Sequence, residues 1–115
     1  MANGNDKMPL PLEGIRVLDA THIVAGPFCA MILADMGAEV IKIERPPTGE
    51  LSRNRGPSVS GPAGAGQIGA SFLALNRNKK GVSLDLRAPA AKKAFENMVR
   101  VSDVLLENWG PSALN

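Results

Sequence analysis

The chain has 115 residues, of which 44% are apolar and 21% charged, with a formal net charge of +2. That length supports one modest core. The slight basic excess, with three Phe and one Trp, argues against a nucleic-acid partner, because single-strand binders rely on aromatic stacking platforms. The one cysteine, Cys29, can form neither an internal disulfide nor a zinc site by itself. No run approaches a membrane span, and the opening MANGNDKMPLP lacks the apolar core of a signal peptide. A cytoplasmic setting is expected, with residues 1–10 as a flexible polar lead-in.

In chain order, GIRVLDAT (Gly14 to Thr21) is short, apolar and β-branched and closes in turn formers, which predicts a buried strand. Pro27 suits the first helical position, so a helix is predicted to begin there. Its apolar positions are Phe28, Met31, Ile32 and Met36, and Gly37 is placed for a left-handed stop. AEVIKIER then reads as a second strand, parallel to the first through a βαβ crossover.

Residues 46–69, rich in Gly, Pro and Ser without sustained period, predict a long loop. SFLALN is apolar but too short to type. GVSLDL predicts a third strand, and Pro89 opens a helix with Ala94, Phe95, Met98 and Val101 along one stripe. Asp103 starts a fourth strand, DVLLEN, and the tail WGPSALN looks like a loop entering a further helix. Two consecutive βαβ units make a Rossmann-like open parallel α/β sheet. Such a sheet with two helices leaves apolar surface uncovered, so the chain is expected to be a fragment or a subunit that folds against other chains.

Ligands of open α/β sheets sit beyond the carboxyl ends of the strands, where a helix N-terminus offers backbone N–H groups to phosphate. HIVAGP occupies that place, although one glycine makes it a weak dinucleotide fingerprint. The second strand ends in Glu44 and Arg45. A base there suits a phosphorylated ribose better than a free diol, and arginine brings a fork of donors. NADP and coenzyme A both carry such a phosphate; a solvated strand-end arginine is the bland alternative. Cys29, in the first helical turn near His22, invites a Cys-His nucleophile, but simple packing is the expected role for a small thiol. The basic run NRNKK (Asn76 to Lys80) is read as a solvated turn.

Three blocks, PLEGIRVLDATHIVAGPFCAMILADMGAEVIKIERP, FLALNRNKKGVSLDLR and SDVLLENWGPSAL, resemble in order and spacing, from about Pro11 to the last residue, the N-terminal part of the class III CoA-transferases. That family, of CaiB/BaiF type, includes formyl-CoA transferase and, on the same fold, α-methylacyl-CoA racemase. The racemases commonly depart from Glu-Asn-aromatic at the ENW block, so Asn108 favours a transferase. An acyl-CoA racemase and a non-catalytic truncated or structural subunit are the alternatives.

The resemblance implies coenzyme A as part of an acyl-CoA substrate, a carboxylic acid as co-substrate, no metal, and an interlocked homodimer or complementary subunit. It places His22, Ile23, Val24 and Ala25 near the pantetheine end, Arg45 at the CoA phosphates, and Leu84, Arg87, Asn108 and Trp109 around the adenine. Formyl-CoA transferases carry Gln at the position of Val24, which argues against a formyl or oxalyl group. The family reaction runs through an aspartyl anhydride and thioester. No aspartate of this chain matches the nucleophile: Asp19, Asp35, Asp85 and Asp103 are assigned to capping or solvation, and the chain alone is expected to be inactive.

Overall fold

A computed structural model describes residues 8–61 and 66–111. The expectations for the first seven residues and for the end of the tail lie outside the described residues. The elements run β1 (Arg16–Ala20), α1 (Ala25–Asp35), β2 (Glu39–Glu44), a 3-10 turn (Leu51–Asn54), β3 (Ser58–Ser60), β4 (Gln67–Gly69), α2 (Ala70–Leu75), β5 (Lys79–Ser83), α3 (Pro89–Arg100) and β6 (Val104–Glu107).

Four strands form one sheet in the order β5-β2-β1-β6, and all three neighbouring pairs are parallel. The chain starts at the centre, steps outward through β2 to β5, and returns to the other side of β1. The Rossmann-like parallel α/β sheet is as expected. Its order reverses between β1 and β6, which makes the space beyond those two strand ends a topological switch point.

β1 is buried from Val17 to Ala20, as a central strand covered on both faces should be. Val17 lies opposite Val40 on one side and Val104 on the other. Val17 and Val40 form the apolar core with Ala30, Ala34 and Ala38, and Leu12, Ile15, Leu33 and Leu106 close it.

Helix α1 begins at Ala25, two residues before the predicted start. Pro27 still lies within the first turn, where backbone N–H groups lack intrahelical partners. The predicted apolar face is the wrong one. Of its four residues only Met31 is buried, whereas Phe28, Ile32 and Met36 are 48%, 41% and 39% exposed. Ala30 and Ala34 face the sheet instead. A helix that is apolar nearly all round carries no single stripe to read, and close approach to a sheet favours the smaller side chains. Gly37 does stop the helix, at φ +102°, with its N–H donated to the Ala34 carbonyl at 3.0 Å.

Three further expectations change. Residues 46–69 are not featureless: the segment holds the 3-10 turn and an antiparallel β3–β4 pair in which Val59 faces Ile68. SFLALN becomes α2, so the crossover from β2 to β5 is helical and the chain makes three strand-helix-strand units rather than two. β5 lies two residues earlier than predicted and ends at Ser83, which leaves Leu84, Asp85 and Leu86 beyond the strand. α3 starts at Pro89 as predicted. None of its residues is fully buried, and Val101 is 64% exposed.

The carboxyl-end half of the α1 face holds charges where the other half holds valine and alanine. Asp19, Lys42 and Glu50 are each at most 2% exposed. Lys79 Nζ donates to Asp19 Oδ2, the Pro27 carbonyl and Asn76 Oδ1, each at 2.9 Å. Lys42 Nζ donates to the Thr21 carbonyl at 2.9 Å and lies 3.1 Å from Glu50 Oε2. Asp19 Oδ1 accepts the Thr21 N–H at 3.0 Å and its hydroxyl at 2.5 Å. Two lysines against two carboxylates leave the cluster neutral, the condition under which buried charge is tolerated. Asp19 is therefore a buried ion-pair partner, not a cap or a solvated acid. NRNKK is a turn before the strand as expected, with Arg77 and Lys80 solvated and paired to Asp35 and Glu39, each at 2.6 Å, but Asn76 and the Lys79 side chain are buried at the cluster.

Gly37→Ala forces a Cβ to 2.5 Å from Leu10 Cβ at a left-handed φ. A loss of about 1–3 kcal/mol is expected in denaturant unfolding. Burial alone would push the Glu50 carboxyl up, but the contacts from His22, the Ile23 N–H and Lys42 outweigh it and hold the group well below the usual carboxylate range. A depressed folded value means that the stabilisation is fully present above the unfolded glutamate value of about 4.3 and is lost as pH falls below it. Unfolding free energy should therefore decline below about pH 4.3, and less steeply in Glu50→Gln. A residual slope is expected, since Lys80 and Arg16 hold Glu39 down to about 2. Equal slopes in a pH series of denaturant titrations would contradict this.

Candidate functional site

The switch point is held shut at its base by one side chain. Asn108, just past β6, accepts the His22 N–H on Oδ1 at 3.0 Å and donates Nδ2 to the His22 carbonyl at 3.0 Å. This two-bond bridge ties the loop after β1 to the loop after β6. Beyond it lies a cleft of about 260 Å³ whose floor is Ala20 and Ile43, whose apolar wall is Leu84, Leu86 and Trp109, and whose polar rim is His22, Arg45, Asp85 and Arg87. A second depression of about 390 Å³ adjoins it, lined by Pro46, Pro47, Thr48, Gly49 and Leu51. His22 and Arg45 line both, so they stand on the divide.

Each wall has a local cause. Leu84 is fixed as β5 ends, its N–H donated to the Glu44 carbonyl at 2.9 Å. Trp109 packs against Phe95 of α3 with ring centroids 5.9 Å apart, and its backbone N–H donates to Glu107 Oε2 at 2.8 Å. Arg87 is committed: Nε and Nη2 donate to the two oxygens of Asp85 at 2.8 and 2.7 Å. The Arg87 side chain and N–H hold the Asp85 carboxyl down at about 2. Arg45 is different. It is exposed, and among the described residues its guanidinium makes no hydrogen bond or ion pair; only its carbonyl is engaged, by the Gly49 N–H at 2.8 Å. Of the two cations on the rim, Arg45 is the one available to an incoming anion.

The structure thus brings His22, Arg45, Leu84, Arg87 and Trp109 together in one cleft. Asn108 is the tie behind it and not a lining residue. Val24 and Ala25 do not line the cleft: Val24 is the N-cap of α1, Ala25 its first residue, and both are exposed. No side chain caps that helix and its first turn carries no acid. Cys29 is exposed rather than packed. Among the described residues no group of three or more His, Cys, Asp or Glu side chains is placed to hold a metal ion, and no helix is long and apolar enough to cross a membrane.

Sequence reading missed Glu50. Its side chain is fully buried; Oε1 accepts the N–H of Ile23 at 2.9 Å and of Ser52 at 3.3 Å, while Oε2 lies 3.1 Å from Lys42 Nζ and 3.4 Å from His22 Nδ1. One signal was available: in EVIKIE, Lys42 shares a sheet face with buried Val40, and an inward lysine demands acidic partners; the acid next to it on that face, Glu44, is engaged by Arg53, which leaves room for a second carboxylate from outside the strand.

The family model for CoA-transferase family III matches residues 12–115. Over 105 residues the chain is 41% identical to the human succinyl-CoA:glutarate CoA-transferase, covering 91% of this chain and 23% of that protein. It is 44% identical over 98 residues to the succinyl-CoA:mesaconate CoA-transferase of Haloarcula hispanica, 85% of this chain and 24% of that one. A formyl-CoA:oxalate CoA-transferase of Rhodopseudomonas palustris matches at 39% over 109 residues, 94% of this chain and 24% of its own. Among solved structures, a CAIB/BAIF family protein from Brucella suis superposes with a TM-score of 0.86 at 33% identity, over 92% of this chain and 28% of the other. The chain spans about a quarter of the length of the curated relatives it matches. With the model matching all but the lead-in, and the parallel sheet shared with solved relatives, the chain belongs to CoA-transferase family III.

Proposed function

We propose that this chain provides the coenzyme A nucleotide cleft of an enzyme that moves CoA between carboxylic acids. The observation that carries the reading is the unpaired Arg45 guanidinium on the rim of a cleft walled by Leu84 and Trp109 at the carboxyl ends of the strands. An arginine fork suits phosphate oxygens, and an aliphatic–aromatic wall suits adenine. The relatives reported above are named as CoA-transferases, which supports exchange of the acid over inversion at its α-carbon. On the family resemblance, the protein works in the cytoplasm as a homodimer on an acyl-CoA and a carboxylic acid.

Within that reading an aspartate attacks the acyl-CoA carbonyl and expels the thiolate, leaving an acyl–aspartyl anhydride. The thiolate then attacks the aspartyl carbonyl, releasing the first acid and forming an aspartyl thioester. The second acid carboxylate reopens that thioester by the reverse sequence. None of the four described aspartates fits the nucleophile. Asp19 is buried against Lys42 and Lys79, Asp35 is paired with Arg77, and Asp103 accepts the Arg16 N–H at 2.8 Å. Asp85 does line the cleft, but both its oxygens are engaged by Arg87. The role assigned here is to bind and orient the CoA moiety.

Arg45→Ala should weaken CoA binding by about 1–3 kcal/mol, the scale of a charge-assisted hydrogen bond. Calorimetric titration of the full-length protein with CoA measures it, and unchanged affinity would remove Arg45 from the site. A CoA-exchange assay across a panel of mono- and dicarboxylic acids tests the reaction. Inversion of the α-carbon without exchange of the acid would replace transfer by racemisation.

A further inference from the structure

Ile23 has φ +76°, a left-handed conformation that a β-branched side chain disfavours. It is the first residue past His22 in the loop that forms one side of the cleft. Its N–H points at Glu50 Oε1, 2.9 Å away. Glu50 itself is 1% exposed and lines neither depression. It belongs to a different part of the chain, capping the 3-10 turn after β2. Its N–H donates to Glu44 Oε2 at 2.9 Å, and Arg53 pairs with that same carboxylate at 2.6 Å. The carboxylate is thus anchored from below by β2 and its following turn, and grips the β1–α1 loop from behind.

We propose that Glu50 is the positioning residue of the cleft: its buried carboxylate holds Ile23 in the left-handed conformation and thereby sets where the His22 ring stands on the divide. The claim rests on the nucleotide-cleft reading only for its functional consequence. Two hydrogen-bonded ties meet at His22. Asn108 fixes its backbone from the β6 side, and Glu50 fixes the next residue from the β2 side. The Oε2 oxygen lies 3.1 Å from Lys42 Nζ and 3.4 Å from the imidazole Nδ1, with no hydrogen bond to the ring, so the ring is placed through the backbone ties. Without the carboxylate, Ile23 has no compensation for its backbone and the loop relaxes toward ordinary φ, carrying His22 with it.

The test uses the full-length protein with Glu50→Ala, Glu50→Gln, and each combined with Ile23→Gly, since glycine adopts the left-handed region without a Cβ penalty. CoA affinity, measured below the unfolding transition, should fall about tenfold in Glu50→Ala and about two- to threefold in Glu50→Gln, whose amide oxygen still accepts the Ile23 N–H. Ile23→Gly should restore at least about threefold of the loss in the Ala background. A purely structural glutamate predicts lower melting temperature with unchanged affinity in the folded protein, and no rescue; either result overturns the proposal. If Glu50→Ala does not fold, Glu50→Gln with and without Ile23→Gly decides by the same criteria. If the unsubstituted protein itself fails to bind CoA, the nucleotide reading falls, and amide exchange decides the positioning claim. Faster exchange at His22 and Ile23 with the β1 and β2 amides unchanged sustains it, and unchanged exchange at those two amides overturns it.

Discussion

A neutral cluster of buried charges, Asp19 and Glu50 against Lys42 and Lys79, is the constraint around which the carboxyl-end half of this domain is arranged. Apolar packing is non-directional and tolerates small displacements. Ammonium groups that must satisfy fixed carbonyls and carboxylates do not. Lys79 reaches from β5 across β2 to Asp19 of β1 and to the Pro27 carbonyl of α1, and Lys42 reaches the Thr21 carbonyl where β1 ends. The end of β1, the middle of β2, the start of β5 and the start of α1 are thereby indexed to one another. The loop after β1, which borders the cleft, leaves directly from this cluster.

The division of labour along the strands follows from this. At their amino ends Val17 and Val40, with the alanines of α1, supply burial and little else. At the carboxyl ends polar groups dominate, and many of them are paired within the chain. The rim contrast is informative: Arg87 arrives already matched by Asp85, whereas Arg45 faces open space. A matched arginine still offers its flat face to a ring, and an unmatched one offers charge. The two cations therefore suit different parts of a nucleotide.

The sheet was legible because β-branched runs bounded by turn residues leave few other options, and a βαβ crossover dictates parallel pairing. The cleft residues Arg45, Leu84, Arg87 and Trp109 were legible from family blocks, and geometry then brought them to one place. The buried face of α1 was not. Apolar spacing pointed to Phe28, Ile32 and Met36, and the pattern holds no information about how closely the helix approaches the sheet. Segment 46–69 was unreadable for another reason. Its order comes from Glu50 and Arg53 binding groups outside the segment, a long-range polar anchor that local composition cannot announce. Asn108 was found, but its amide serves the backbone of His22.

The alanine side of α1 has a consequence for the dimensions of the cleft. Ala30 and Ala34 act as spacers, their methyl groups setting the height at which the helix rides over the strands. Gly26, against the side chain of Thr21, keeps the leading end of the helix at that same height, because any Cβ there would overlap Thr21. The gap into which the loop after β1 must fit is thus gauged by the smallest side chains in the domain. An enlargement by one or two carbons at Ala30 or Ala34, on the sheet-facing side of the helix, would be transmitted as tilt and felt at the mouth of the cleft.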